Sequence, residues 1–378
     1  MRFLIYLFIF FFIILLTLFY YFYENHESNY YFIKFSKKKE IIKQINPLIL
    51  VWNKCLGELF PGIGYIDYPL IIPNKTCPFN CTFTHDRKLE RNASTIIFFL
   101  HGQCPINNWP KNRKKEQNYL MFTVESPVET NQFYNKTILK EMFNSSATYR
   151  LDSDIYMPYD GLTKITKETP KEYIWNQKEV LEIIKNKTKF AFQAVSNCNA
   201  SSRRDIITNK INELIELKLV GKCYNVKCEE ECYQNELNQH FFYLAFENSI
   251  CINYVTEKFW NSLRSLTVPI VLNRSIFKGM DIPSNTFIAV DDFNSINELI
   301  EYLNELKNDM EKYLRYFEWT KIYTKRRLGE DYSPICKICE YATKHLKEKT
   351  KSKINFDKFW NDENCNNNFI INKINILL

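Results

Sequence analysis

The chain has 378 residues, of which 46% are hydrophobic, 16% aromatic and 25% charged. This composition excludes global disorder, and at about 150 residues per domain it predicts two domains and a tail. The net charge of +7 is spread along the chain, which argues against a nucleic-acid footprint.

The first predicted element is FLIYLFIFFFIILLTLFYYFY, residues 3–23, which carries no charge. At about 1.5 Å per residue, a helix of this length matches a hydrocarbon core of about 30 Å. Tyr20, Tyr21 and Tyr23 fall where an interfacial aromatic belt belongs. The apolar core exceeds a signal-peptide h-region and no small-residue cleavage site follows, so an uncleaved anchor is expected. Arg2 precedes the span and Glu24 and Glu27 follow it, which places the tail 1–2 in the cytosol and the body in a lumen. Residues 24–46 read as a polar stem.

Two features agree with a lumenal body. Asn-X-Ser/Thr acceptors occur at Asn74, Asn80, Asn92, Asn135, Asn144, Asn186, Asn199 and Asn273. Twelve cysteines fit an oxidising compartment. A zinc site at Cys228 and Cys232, or at Cys336 and Cys339, is the rival reading. No histidine pair with ligand spacing accompanies them, so disulfides are favoured.

A first folded unit is expected over 47–165. LILVW from Leu48, STIIFFLHG (94–102) and NYLMFTVESP (118–127) are apolar runs of strand length. They leave His101 and Glu125 at strand C-terminal ends, where open α/β sheets bind ligands. Residues 148–170 look like a crossing into a second unit, 166–325. There KFAFQAV (189–195) reads as a strand and DIITNKINELIELKLV (205–220) as one amphipathic helix ended by Gly221. FFYLAF (241–246), VPIVL (268–272) and TFIAV (286–290) read as further strands, with a helix from about Glu257 to Leu266. Ser295 and Glu298 form a capping-box pattern before INELIEYLNEL. Alternating strands and helices predict parallel, doubly wound sheets in an α/β chain. Residues 326–378 form the tail.

In the second unit, two loops follow buried strands and precede helices, so their backbone N–H groups can face an anion. One carries Ser196, Asn197, Arg203 and Arg204. The other carries Glu247, Asn248, Tyr254, Glu257 and Lys258, with Thr256 as the expected N-cap. A lysine in a first helical turn opposes the helix dipole unless a polyanion sits there. A diphosphate held by arginine, lysine and a helix N-terminus needs no metal. Asp152-Ser-Asp154 follows no strongly apolar run and Asp291-Asp292 lies where a capped helix begins, so both are weaker metal candidates.

FYLAFENSICINYVTEKFW (242–260) resembles the signature of the α-1,3-fucosyltransferases, glycosyltransferase family ten, roughly FYxxFENSxxxDYVTEK. The resemblance extends through CTFTHDRKL (81–89), FTVESP (122–127), TYRLDSDIYMPY (148–159), VSNCNASSRR (195–204), FIAVDDFNSINELIEYL, YLRYFEW (313–319) and CKIC (336–339).

The resemblance implies two Rossmann-like domains of GT-B type, an acceptor-binding half and a GDP-fucose-binding half. It implies inverting transfer of fucose from GDP-β-L-fucose to the 3-hydroxyl of GlcNAc in a glycan, at a Golgi membrane. Glu125 would be the general base. Arg204 and Lys258 would hold the diphosphate, and Asn248, Tyr254 and Glu257 the fucose and nucleotide. Glu247, Ser196 and Asn197 would complete the donor side, with His101 toward the acceptor. No cofactor would be required, a divalent ion such as Mn being at most a stimulant.

Cys77 and Cys81 would bridge to Cys336 and Cys339, pinning the tail to the acceptor domain. Pairing of Cys55, Cys104, Cys198, Cys223, Cys228, Cys232, Cys251 and Cys365 stays open. The chain departs from the family pattern at Gly102-Gln103, after His101, and at Thr320, after Trp319.

Overall fold

The computed structural model describes residues 46–53, 71–72, 75–102, 104–106, 108–134, 136–328 and 334–371. The expected span, the expected stem up to residue 45, Cys55, Asn74 and Asn135 lie outside them. Among the described residues no helix is long and apolar enough to cross a membrane.

Strands β1 (Leu48–Val51), β4 (Thr82–Thr84), β5 (Thr95–Phe99), β6 (Asn118–Phe122), β7 (Ser145–Thr148) and β8 (Ile155–Tyr156) build one sheet, in the order β4-β1-β5-β6-β7-β8. A two-stranded hairpin, β2 (Ile71–Ile72) and β3 (Lys75–Thr76), stands apart from it. Every pairing within the sheet is parallel.

Successive strand residues point to opposite faces. Ile97, Phe99, Leu120 and Phe122 therefore enter one core, while Ile96, Phe98, Tyr119 and Met121 enter another. Burying one such phenylalanine contributes about 2–3 kcal/mol. Ile335, Ile338 and Ala342, on the helix Pro334–Lys344, cover the first face, and Phe143, Phe356 and Trp360 the second.

The second sheet contains β9 (Lys189–Ala194), β10 (Leu217–Val220), β11 (His240–Leu244), β12 (Val268–Val271) and β13 (Ile288–Ala289), in the order β10-β9-β11-β12-β13. It too is parallel throughout. The alternating pattern thus forms parallel α/β sheets as expected.

Residues 205–220 differ from expectation. The helix, α1 (Arg204–Leu214), ends at an extended Ile215, and Leu217–Val220 is the edge strand β10. Leu217 and Val220 are buried there, and pairing with β9 supplies the backbone partners that a longer helix would have given. Gly221 follows β10 instead of capping a helix. Its φ is +100°, and a Cβ would stand 2.3 Å from the Val195 carbonyl oxygen, so only glycine fits.

Residues 148–156 also differ from expectation, because they belong to the first sheet rather than to a crossing. The passage between lobes is held at Asp160, whose buried carboxylate meets Arg264 at 3.1 Å and accepts from Leu328 N at 2.7 Å.

Candidate active site

In the second sheet, β9 leads through α1 to the neighbouring edge strand, while β11 continues the sheet on its other side. Adjacent parallel strands that connect outward in opposite directions leave a crevice at their C-terminal ends. The loops 195–203 and 245–256 meet there. Arg204, buried at the start of α1, donates to Phe246 O at 2.6 Å and to Asn197 O at 2.9 Å, tying one loop to the other. Burial lowers its pKa, with Glu247 opposing. Its Nε and the Asn248 Oδ1 are buried without a hydrogen-bond partner. Buried polar atoms of this kind call for a ligand or water. Ser196 and Asn197 are exposed on the first loop. Arg203 and Asn253, at φ 54° and 64°, hold left-handed backbone on the two loops, a conformation that concentrates at functional sites.

Glu247 is buried and accepts from the Thr256 backbone N and from Thr256 Oγ1, each at 2.7 Å. Thr256 does stand at the N-cap of α2 (Glu257–Arg264). Its side chain, however, is spent on Glu247 rather than on capping. Lys258 Nζ lies 3.6 Å from Glu247 Oε2 and 2.9 Å from Glu257 Oε1. Burial works against the lysine charge, but Glu247 and Glu257 outweigh it and raise its pKa above the ordinary value. Burial raises Glu247 in turn. A cation is thereby fixed in the first turn of a helix, where the dipole alone would disfavour it.

Across the cleft, β5 and β6 deliver His101 and Glu125 to their C-terminal ends. His101 Nε2 lies 4.0 Å from Glu125 Oε1. Tyr254 is buried, and its hydroxyl donates to Glu125 Oε2 at 2.7 Å. Burial holds that phenol well above the ordinary tyrosine range, so it remains a donor. Tyr254 belongs to the second unit's loop by sequence, yet it packs in the core of the first sheet against Tyr149. Two more contacts join the lobes: Ser126 Oγ donates to Ser249 Oγ at 2.9 Å, and Ser201 Oγ to Glu129 Oε1 at 3.1 Å. The base candidate, the signature loop and the arginine loop are therefore brought together. Tyr254 faces the base rather than the crevice beside Arg204.

The other candidates are engaged elsewhere. Arg150 forks onto Asp152 with two contacts of 2.7 Å, and Asp154 accepts from Ser146 N at 2.8 Å. Asp291 accepts from Arg274 N at 2.8 Å, and Asp292 pairs with the Arg274 guanidinium. Thr320 is buried and donates to Phe317 O at 2.8 Å. Ser295 caps its helix by accepting from Glu298 N, whereas Glu298 accepts from Asn294 N instead of closing the box on Ser295.

Among the sequons, Asn80, Asn92, Asn186 and Asn199 are exposed. Asn144 and Asn273 are buried, which corrects their candidacy. The Asn144 amide donates to Lys351 O and Ser352 O and accepts from Tyr119 N, and Asn273 Oδ1 accepts from Ser275 N.

Disulfides join Cys77–Cys336, Cys81–Cys339, Cys198–Cys223, Cys228–Cys232 and Cys251–Cys365, and Cys104 is disulfide-bonded as well. Sequence reasoning missed a cavity of about 410 Å³ beside the first loop, lined by Ser196, Gly221, Lys222, Asn225, Lys227 and Cys228. Reading 205–220 as one helix hid it. A Gly-Lys turn after an edge strand, next to the arginine loop, was the available signal.

Family models match both halves of the chain. "Fucosyltransferase, N-terminal" covers residues 44–160, and "Glycosyltransferase family 10 (fucosyltransferase) C-term" covers 184–357. The chain is 31% identical over 335 residues to the 4-galactosyl-N-acetylglucosaminide 3-alpha-L-fucosyltransferase 9 of Rattus norvegicus, covering 86% of this chain and 85% of that one. It is 29% identical over 306 residues to the alpha-(1,3)-fucosyltransferase fut-5 of Caenorhabditis elegans, covering 77% and 78%. A crystal structure of an alpha1,3-fucosyltransferase superposes with a TM-score of 0.52 at 20% identity, over 85% of this chain and 95% of that chain, which speaks for the fold. With both halves matched, the chain belongs to glycosyltransferase family 10, the family of the α-1,3-fucosyltransferases, and is a glycosyltransferase.

Proposed function

We propose that this transferase moves fucose from GDP-β-L-fucose to the 3-hydroxyl of GlcNAc in a glycoprotein or glycolipid glycan, with inversion. The observation that carries the proposal is the Glu125 carboxylate, held at 2.7 Å by the hydroxyl of Tyr254, a residue of the same signature loop whose Phe246 carbonyl takes Arg204 and whose Glu247 pairs with Lys258. The acceptor oxygen attacks the fucose anomeric carbon as the bond to the β-phosphate oxygen breaks. Glu125 takes the hydroxyl proton, as general-base catalysis requires of a carboxylate within reach. GDP leaves with one more negative charge. Lys258, kept charged by its neighbours, and the guanidinium of Arg204 offset that charge without reorganising.

Asn248 and Glu257 would orient the fucose and ribose, and the cavity at Gly221 to Cys228 would take the nucleoside. Fixed side-chain cations do the diphosphate work, so a divalent ion such as Mn would stimulate at most. The apolar span at 3–23, the exposed sequons and the disulfides support a single-pass type II protein with its body in the Golgi lumen.

Replacing Glu125 by Gln tests the reading. GDP affinity, followed by calorimetry, should stay within about twofold. Fucosyl transfer to GlcNAc-terminated and LacNAc-type acceptors, read by mass, should fall at least about 100-fold, the usual weight of a general base. Transfer at the wild-type rate would remove Glu125 from the mechanism.

A further inference from the structure

We propose that Phe133 is a platform on which the acceptor glycan lays the carbon–hydrogen face of a pyranose ring, beside the hydroxyl that Glu125 deprotonates. This rests on the reading of Glu125 as the base and of the first lobe as the acceptor side. Phe133 is 56% exposed, the most exposed large apolar side chain among the described residues. A single exposed apolar residue is ordinary. What sets this one apart is its seat.

The ring lies in the space that a side chain at Gly102 would occupy, with Cε2, Cζ and Cδ2 at 2.3, 2.5 and 2.7 Å from the position of a Cβ. The neighbouring Tyr134 staples the segment to the end of β5. Its hydroxyl accepts from His101 N at 3.0 Å and donates to His101 O at 2.8 Å. His101 in turn reaches to 4.0 Å from Glu125. An aromatic face is thus presented one residue beyond the histidine that borders the base.

The negative face of an aromatic ring attracts the weakly positive C–H edge of an apolar partner. One side of a pyranose offers such C–H groups while its hydroxyls point outward. The platform would therefore recognise a neutral sugar ring by its face rather than by any single hydroxyl. The residue it favours is either the fucosylated sugar or its immediate neighbour.

The test is a double-mutant cycle on GDP-loaded protein, with binding of a GlcNAc-terminated and a LacNAc saccharide read by calorimetry. Transfer is assayed separately. Phe133→Ala, at an exposed site, should weaken saccharide binding about three- to tenfold while GDP affinity holds. Gly102→Ala should push the ring aside and weaken binding to a similar extent. In the Phe133→Ala background the same glycine change should cost nothing further, because the clash is gone. Phe133→Tyr should retain wild-type affinity.

Equal saccharide affinity in wild type and Phe133→Ala overturns the platform, and so do additive losses in the cycle. A Phe133→Ala variant that changes only self-association would assign the ring to a second copy and overturn it as well. Saccharide binding that needs Phe133, in a wild-type protein that transfers no fucose, would keep the platform and sink the fucosyl-transfer reading instead.

Discussion

Lys258 pairs with a buried carboxylate and, in the function proposed above, holds the diphosphate; one substitution would confound the two and a pair would separate them. Its Nζ sits 3.6 Å from the buried Glu247 carboxylate. At an effective dielectric of about 20, two unit charges at that separation attract by about 5 kcal/mol. Lys258→Ala leaves Glu247 buried with only Thr256 as a hydrogen-bond partner, so a loss of about 3–5 kcal/mol in stability is expected. That corresponds to about 4–6 °C in Tm for a chain of this size. GDP affinity should fall as well, by about 10- to 100-fold, the worth of one charge-assisted hydrogen bond. Adding Glu247→Gln to Lys258→Ala removes the stranded charge. The amide can still accept from Thr256 N and donate to Thr256 Oγ1. Thermal unfolding should then recover most of the lost stability, whereas titration with GDP should show no recovery. A Lys258→Ala protein as stable as wild type would refute the ion-pair account. Recovery of GDP binding in the double variant would refute the diphosphate role.

Three further outcomes are expected. Tyr254→Phe keeps the packing on Tyr149 but takes a donor from Glu125. kcat should fall about 10- to 100-fold with GDP affinity unchanged, and an unaltered kcat would detach the phenol from the reaction. Burial lowers the Lys187 pKa to about 7, against an ordinary value near 10.4. Between pH 7 and 9 the unfolded state therefore binds more protons, so this group's contribution to stability grows with pH, by at most about 1.4 kcal/mol per unit. The Tm of wild type should gain on that of Lys187→Met across that range, and a constant difference would contradict a neutral Lys187. The Cys198–Cys223 disulfide ties the arginine loop to the wall of the 410 Å³ cavity. Replacing both cysteines by Ala should raise the GDP-fucose KM several-fold and leave the acceptor KM alone, as initial rates on each substrate would show.

The parallel sheets and the strand ends carrying His101 and Glu125 were legible because fully buried strands are unbroken apolar runs. The helix at Ile296–Asn308 announced itself through Ser295. What misled was the tract at 205–220. Its apolar residues fit a helical stripe, and nothing local says that Leu217–Val220 will find β9 as a partner. Strand pairing is a long-range decision that periodicity does not record.

The site shows the same division. Arg204 and Lys258 could be picked out by type and position, whereas Glu125, standing before a Ser-Pro turn, took its role from the resemblance of FTVESP to the family motif. That Tyr254 reaches across to Glu125, and that Phe133 settles over Gly102, depends on how two distant segments dock. Thr256 reads as a cap in any sequence. Only the fold supplies the buried Glu247 that draws its hydroxyl away.

The disulfides also bear on how the protein is made. Cys77 and Cys336 are 259 residues apart, and Cys251 meets Cys365. At about 5–20 residues per second, roughly 13–50 s pass on the ribosome before Cys77 can meet its mate. During that interval Cys198, Cys223, Cys228 and Cys232 emerge and offer wrong partners. The face of the first sheet that awaits Ile335, Ile338 and Ala342 also stays uncovered. The earliest-made lobe is thus finished by nearly the last-made helix. A nascent chain cut short before Cys336 would be an incomplete first lobe bearing unpaired thiols, a client for thiol-exchange chaperones and for degradation rather than a smaller enzyme.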